Sequence, residues 1–489
     1  MTKLENYSFK ESAFFCDDLW SKNKIYSWIE DEDDCEESFV IDTPPPTVSG
    51  QLHMGHIFSY CQTDFIARYK RMRGYKVCYP IGFDDNGLPT ERLVEKTKKI
   101  TPYKMSRSDF ISNCKEVSVQ SRLEFKALFQ SVGISFDWDL EYHTIDKNCV
   151  ALSQMSFIDL YNKGLIYRRM QPMLWDPVDQ TAIAQAEVED KEVESFMNTI
   201  VFQTEDGLDL KIATTRPEML AACVAVFYHP EDSRFLSLEG KFAITPIFNV
   251  KVPILADNKV KIDKGTGLVM CCTFGDELDI HWWKQHSLPS KIILNKYGKI
   301  CNSSVEELNN LSVRNARAKI LEMLSDLGRL DKKEEIVHSV KCAERSGSPL
   351  ELLPTEQWFI KILDHKEEIQ QRADQINWYP SFMKKRINIW IDGLNWDWCI
   401  SRQRYFGVPF PIWYSRRSGE EGKILVADTS KLPVDPTVDL PDGYSKEEVL
   451  PDYDVMDTWA TSSLTPQFIN MKINKDLRLE NYRTNINLP

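Results

Sequence analysis

Several short runs of this sequence hold side chains whose types and spacing could do chemistry. His53-Met54-Gly55-His56 sets two imidazoles three residues apart around a glycine. If the run opens a helix, both rings share one face, and the unpaired N–H groups and positive dipole of the helix start favour an anion such as phosphate. Gly55 has no side chain to hold a polyphosphate off the backbone. Taken alone, the pair reads as readily as a capped surface helix or a weak metal pair. Asp84-Asp85-Asn86-Gly87 places adjacent carboxylates before a glycine, which suits either a turn or the capture of a cation. Ala213-Thr214-Thr215-Arg216-Pro217-Glu218 and the run 265–279, which carries Asp276 and Asp279, could each be a strand and turn with a solvated acid.

The elements that must position these groups are legible as changes of period. A short apolar strand at 38–41 leads through Thr43-Pro44-Pro45-Pro46 to a helix over about 56–72, where Phe58, Cys61, Phe65, Tyr69 and Met72 recur every three or four residues. A second strand at 75–80 delivers Asp84 to the C-terminal edge of a parallel sheet, where α/β folds place ligand groups. Before these, 5–28 reads as an aromatic-rich packing helix with Tyr7, Phe14, Phe15, Trp20 and Trp28, followed by a solvated acidic turn at 30–37. Helices are expected at 107–132 and 147–163. From 193 to 337 the texture changes to short strands, at 199–203, 208–213, 224–228, 241–245, 261–263 and 268–272, with a helical exit at 313–327.

With 489 residues the chain exceeds one ordinary domain. Sixty Lys and Arg against 73 Asp and Glu give a net charge of −13, which argues against a protein that coats nucleic acid non-specifically but leaves room for local basic patches. The polar start Met1-Thr2-Lys3-Leu4-Glu5-Asn6 carries no secretory signal and no apolar run is long enough to span a membrane, so a cytoplasmic address is expected. The 12 cysteines include no Cys-x-x-Cys, which predicts reduced thiols without a zinc ribbon or a disulfide framework.

His-Met-Gly-His after a Pro-rich strand–helix loop resembles the HIGH signature of class I aminoacyl-tRNA synthetases, and Pro-Pro-Pro-Thr-Val-Ser-Gly resembles the valyl branch of that class more than the isoleucyl or leucyl branches. The resemblance extends over nearly the whole chain. It implies a Rossmann-type α/β nucleotide domain, residues 1–192 and 338–489, interrupted by a β-rich editing domain at 193–337. Its implied activity is ATP-dependent activation of valine, with Mg²⁺ supplied alongside ATP, and transfer to tRNA(Val) by a monomer. His53, Gly55, His56 and Asn86 would then serve ATP; Asp84 would take the amino group of valine; Pro45, Pro46, Phe406 and Trp459 would line a dry pocket for a β-branched side chain. In the same resemblance Gln357-Trp358-Phe359 marks the return to the nucleotide fold, and Trp396 to Pro409 borders the pocket.

The family also implies a need for the insertion. An apolar pocket cannot strongly reject an isostere that merely adds a hydroxyl, a limit already established for valyl enzymes. Threonine attached to tRNA must therefore be removed at a second, polar site. Thr214, Arg216, Asp276 and Asp279 match that editing site, with Asp279 gripping the ammonium; Met219, Met270 and Cys272 match an archaeal-type variant of it. Structural zinc is not expected, because Asp176-Pro177-Val178-Asp179 stands where relatives have Cys-Pro-x-Cys. Lys104-Met105-Ser106-Arg107-Ser108 resembles the family's Lys-Met-Ser-Lys-Ser loop but precedes the insertion, so it is read as an N-capped helix start. The chain is expected to stop short of the family's own lysine-rich loop and helical anticodon-binding domain. Alternative readings are a non-ligating tRNA-binding or proofreading paralogue, and an isoleucyl or leucyl synthetase.

Overall fold

The computed structural model describes residues 8–28, 37–50, 52–475 and 486–487; Tyr7, the acidic run 30–36 and Gln51 lie outside the described residues. The chain divides into two compact units, Met1–Ile166 with Ile400–Pro489, and Tyr167–Cys399.

The first unit opens with α1 (Phe9–Asn23), capped by Ser8. Strand β1 (Ser38–Asp42) is buried from Phe39 onward, as expected of a strand covered on both faces, and α2 (Met54–Met72) follows it. The periodic set Phe58, Phe65, Tyr69 and Met72 faces solvent, while Tyr60, Thr63, Asp64 and Ala67 face inward. Polar anchors decide this orientation. The Tyr60 hydroxyl donates to Pro44 O at 2.6 Å, and Asp64 accepts from Ser135 N at 2.7 Å and Arg68 Nε at 2.7 Å. Next come β2 (Lys76–Cys78), β3 (Pro80–Phe83), α3 (Leu88–Lys98), α4 (Arg107–Val132), β4 (Asp137–His143) and α5 (Lys147–Asn162). Ser106 caps α4 by accepting Asp109 N at 3.1 Å, and Gly133, at φ 75°, ends it. The 104–108 run is thus a helix start.

In the second unit, β5 (Ile166–Asp176) and β6 (Thr181–Ala182) lead to the 17-residue β7 (Val188–Thr204). Then come β8 (Asp209–Thr214), β9 (Cys223–Tyr228), β10 (Phe242–Ile244), β11 (Lys251–Ala256), β12 (Leu268–Cys272), α6 (Glu277–Gln285), α7 (Val313–Asp326) and β13 (Leu330–Ala343). They form a curled sheet in the order β12-β9-β11-β10-β7-β13, with β8 on β7 and also packed on β12. Its core gathers Ile200, Phe202, Leu210, Ile212, Val226, Ile254 and Leu268, sealed by Ala316, Ile320 and Leu324 of α7. The expected strand at 261–263 is a turn; the strand is β11, which Pro253 disguises in the sequence. β14 (Glu351–Ile360) and β15 (Trp398–Cys399) extend β5 and β6 into a separate sheet, with α8 (Lys366–Asp374) and α9 (Met383–Asp392) between them in the chain. The contact unit is therefore wider than 193–337, because β7 and β13 pair from Val188–Ala343 onward and Gln357-Trp358-Phe359 lies in β14.

The chain re-enters the first unit at β16 (Ser401–Arg402). A small antiparallel sheet follows, of β17 (Ile412–Ser415), β18 (Ile424–Val426) and β19 (Val449–Pro451). Then β20 (Val455–Met456) pairs with β16 and leads to α10 (Thr458–Ser462), α11 (Thr465–Asn474) and β21 (Ile486–Asn487). β1 pairs in parallel with β2 on one side and β21 on the other, and β3 pairs in parallel with β4. Since β3 continues the line of β2 after Tyr79, the order across the sheet is β4, β2/β3, β1, β21, that of a mononucleotide-binding Rossmann half.

Candidate functional site

Such sheets bind ligands at the C-terminal ends of their strands. Beyond β1, His53 is the N-cap of α2, its Nδ1 accepting Gly55 N–H at 3.1 Å; His53 N–H in turn donates to His56 Nδ1 at 3.4 Å. With both Nδ1 atoms used as acceptors, each neutral ring carries its proton on Nε2. The two rings stand 4.2 Å apart, and burial, then the neighbouring His53, lowers the pKa of His56. Gly55 permits this cap, because a Cβ there would lie 2.9 Å from His53 Cε1. The arrangement offers two imidazole N–H donors at a positive helix end, suited to a polyphosphate.

Beyond β3, Asp84 bonds through its backbone to the proline loop: Asp84 N donates to Pro46 O at 3.0 Å and Val48 N to Asp84 O at 3.1 Å. Pro45 and Pro46, both buried, are thereby held at the Asp84 backbone. The Asp84 carboxylate accepts from the Thr144 hydroxyl at 2.9 Å and Asn86 Nδ2 at 3.0 Å on Oδ1; the Ser462 hydroxyl lies 3.3 Å from Oδ2 but has its shorter acceptor in Thr458 O, at 2.7 Å. Asp85 points elsewhere, fully buried and ion-paired with Arg122 of α4; burial raises its pKa against the pull of that guanidinium. Asn86 Nδ2 also reaches Thr144 Oγ1 at 2.8 Å and Thr461 Oγ1 at 3.5 Å, while its Oδ1 has no hydrogen-bond partner among the described residues although Asn86 is fully buried. The carboxylate at Asp84 fixes this amide orientation, because the flipped amide would set two oxygens against each other.

Helix α10 supplies Ser462 and Thr461 from far along the chain, with Trp459 one turn before Ser462 and 59 % exposed. Gly87, at φ 74°, lets α10 approach, since a Cβ would lie 2.4 Å from Thr458 Cγ2. Phe406 is buried among Val94, Phe110 and Cys114. Glu91 of α3 fixes it there by accepting Phe406 N at 2.7 Å and Tyr405 N at 2.8 Å and pairing with Arg404.

In the second unit, Arg216 is held by Glu351 at 2.7 Å, Glu218 at 3.1 Å and Gly275 O at 3.2 Å. Arg317 completes the cluster with two bonds to Glu218, at 2.8 and 2.9 Å. Burial opposes the Glu218 charge, but Arg317 and Arg216 prevail and hold its carboxyl below the usual range. The Thr214 hydroxyl accepts Arg216 N at 3.0 Å. Arg216 thus ties the end of β8 to the turn before α6, where Asp276 is the N-cap and accepts Asp279 N at 2.8 Å. Asp279 is 7 % exposed, and burial, then the Asp276 charge, raises its pKa well above 3.8. Among the described residues no group of three or more His, Cys, Asp or Glu side chains is placed to hold a metal, and no helix is long and apolar enough to cross a membrane.

Residues 16–482 match the family described as tRNA synthetases class I (I, L, M and V). The chain belongs to this class I synthetase family. It is similar to the valine--tRNA ligases of Wolbachia sp. subsp. Brugia malayi, at 56 % identity over 99 % of this chain and 61 % of that protein, and of Rickettsia conorii, at 57 % over 98 % and 59 %. Against that of Ehrlichia ruminantium strain Gardel the identity is 59 % over 94 % of this chain and 57 % of that protein. The chain therefore spans about three fifths of the length of the curated relatives it matches. Among solved structures, an Agrobacterium radiobacter K84 LeuRS in a LeuRS-tRNA-LeuAMS complex is similar at TM-score 0.46 and 20 % identity, covering 95 % of this chain and 60 % of that one.

For this class I synthetase chain, sequence reasoning singled out His53, Gly55, His56, Pro45, Pro46, Asp84, Asn86, Phe406, Trp459, Thr214, Arg216, Asp276 and Asp279; Thr144, Ser462, Glu91 and Glu351, which bond to or lie beside these residues, were not among the candidates. Thr144 carries no motif; its only sequence signal is its place just past a strand, at the sheet edge that already holds Asp84.

Proposed function

We propose that this chain performs valine--tRNA ligase chemistry, with amino-acid activation in the first unit and hydrolytic editing in the second. The observation that carries the reading is 56–59 % identity to valine--tRNA ligases along nearly the whole chain. In activation, a valine carboxylate oxygen attacks the α-phosphorus of ATP, the bond to the β-phosphate oxygen breaks, and pyrophosphate leaves. Asp84 holds the ammonium of valine, with Pro45, Pro46 and Trp459 beside the side chain. The Nε2–H groups of His53 and His56 meet the charge that grows on the phosphates, and Asn86 Oδ1 is an acceptor for a ligand hydroxyl or ammonium. Mg²⁺ would accompany ATP, neutralising phosphate charge. A terminal hydroxyl of tRNA(Val) then attacks the carbonyl of the adenylate, releasing AMP. Catalysis is positional and electrostatic, without a covalent enzyme intermediate.

For editing, Asp279 grips the ammonium of a threonyl ester, Asp276 and Thr214 shape the site, and a bound water attacks the ester carbonyl. Arg216, committed to two glutamates, holds the site together. ATP–pyrophosphate exchange by the chain with valine, isoleucine, leucine and threonine tests the first assignment; exchange favouring isoleucine or leucine would overturn the valyl reading. Deacylation of Thr-tRNA(Val) but not Val-tRNA(Val), lost in Asp279→Ala, tests the second.

A further inference from the structure

The Asp84 carboxylate does not choose its own direction. Thr144, the fully buried residue after β4, has a hydroxyl with one proton and two lone pairs, and all three are used. The proton goes to Asp84 Oδ1 at 2.9 Å rather than to Asp85 Oδ1 at 3.4 Å; the lone pairs take Asn86 Nδ2 at 2.8 Å and Asp85 N at 3.2 Å. One hydroxyl therefore links three consecutive residues of the loop after β3. It fills Oδ1 of Asp84 together with Asn86, so the carboxylate is fixed through that oxygen. Asp85, beside it in sequence, is already neutralised by Arg122.

We propose that Thr144 is a positioning residue for the amino-acid substrate: it orients Asp84 so that the ammonium, and not the side chain or carboxylate, is what the site selects through this carboxylate. The inference rests on the reading of Asp84 as the ammonium partner. It separates Thr144 from a purely packing residue, because a packing residue would affect ligands with and without an amino group alike. A hydroxyl, and not merely a side chain of threonine's volume, is required.

The test is calorimetric titration of the 489-residue chain with L-valine and with 3-methylbutanoate, which lacks the ammonium. Thr144→Val is expected to weaken valine binding about tenfold while leaving 3-methylbutanoate within about twofold, and Thr144→Ser to restore valine to within about threefold of the parent. If Thr144→Val does not fold, Thr144→Cys, which replaces the hydroxyl by a poorer donor, is expected to weaken valine alone by about fivefold. Equal loss of both ligands, or unchanged valine affinity, would overturn the proposal. Asp84→Asn distinguishes the two levels: if it loses valine while Thr144→Val keeps it, only the positioning role falls. If Asp84→Asn binds valine like the parent, the ammonium reading falls and takes the positioning role with it.

Discussion

Asp84 and Asp279 are both buried aspartates assigned to the ammonium of an amino acid, yet their surroundings treat the negative charge in opposite ways. Asp84 is met by the Thr144 hydroxyl and the Asn86 amide, with Ser462 Oγ 3.3 Å from its other oxygen. Asp279 sits behind Gly275, next to Asp276, where burial and a like charge disfavour its anion. The first is set in place before ligand arrives, as a reaction centre requires. The second has the most to gain from a cation, because an ammonium offsets both burial and repulsion. The contrast suits a site that must place an atom against a site that must only recognise a group.

The largest effect should come from the cluster that holds the second site together. Glu218→Ala would take the carboxylate from Arg317 and leave Arg216 to Glu351 and Gly275 O, and removing one partner of a buried ion pair typically costs about 3–5 kcal/mol. Hydrogen exchange of amides in β8 and β12 should report that loss, with the amides of β1 to β4 unchanged. The same cluster bears on the boundaries: a fragment 193–337 lacks Glu351 and the paired strand ends Val188–Ala343, so a fragment 167–399 should be the more stable.

At the first site, Asp84→Ala removes the charge but leaves Thr144 and Ser462 in place. Losing a charge-assisted pair in a desolvated site should cost about 2–4 kcal/mol in kcat/KM for valine in pyrophosphate exchange. A loss below threefold would break the comparison from that side.

At the second site the test is pH. An aspartate whose folded pKa lies above its ordinary 3.8 favours the fold in its neutral form; that stability is fully present below 3.8 and is lost as pH rises through the folded value. Ligand grip runs the other way, since only the anion holds an ammonium. Thr-tRNA deacylation should therefore rise with pH through the folded pKa of Asp279, while unit stability falls, and Asp279→Asn should flatten both. Gly275→Ala sharpens this, because its Cβ would lie 2.4 Å from Asp279 Oδ2; overpacking of this kind costs about 1–3 kcal/mol and should displace the carboxylate. Unchanged deacylation in Gly275→Ala would mean that Asp279 is not the grip.

What the sequence revealed and what it hid follow from how far apart the determinants lie. His53, Gly55 and His56 work within one helix start, so their meaning is local. The Asp84 loop was legible, but the hydroxyl that meets its carboxylate was not: Thr144 is an ordinary residue 60 positions away, and only the parallel pairing of β3 with β4 brings it there. Periodicity located α2 correctly and said nothing of its direction, because Asp64 and Tyr60 outvote Phe58 and Phe65 through hydrogen bonds. Phe406 was legible through a motif that borders a pocket in the family; Glu91, which accepts its N–H, was invisible as a lone acid.

The smallest effect concerns the run Lys104 to Ser108, where sequence resemblance and fold point in different directions. Ser106 accepts Asp109 N and Arg107 donates to Tyr453 O at 3.0 Å, so the run is spent on starting α4 and fastening it. Ser106→Ala should cost about 1 kcal/mol, the usual worth of an N-cap, read as a shift in the unfolding midpoint of the first unit. Lys104→Ala should leave ATP binding within about twofold. A phosphate clamp would behave otherwise, since losing a donor aimed at developing phosphate charge typically slows a reaction by about a hundredfold or more. A large loss of ATP affinity in Lys104→Ala, with stability intact, would move the phosphate site from the start of α2 toward the start of α4, and would leave the two imidazoles of His53 and His56 as helix caps alone.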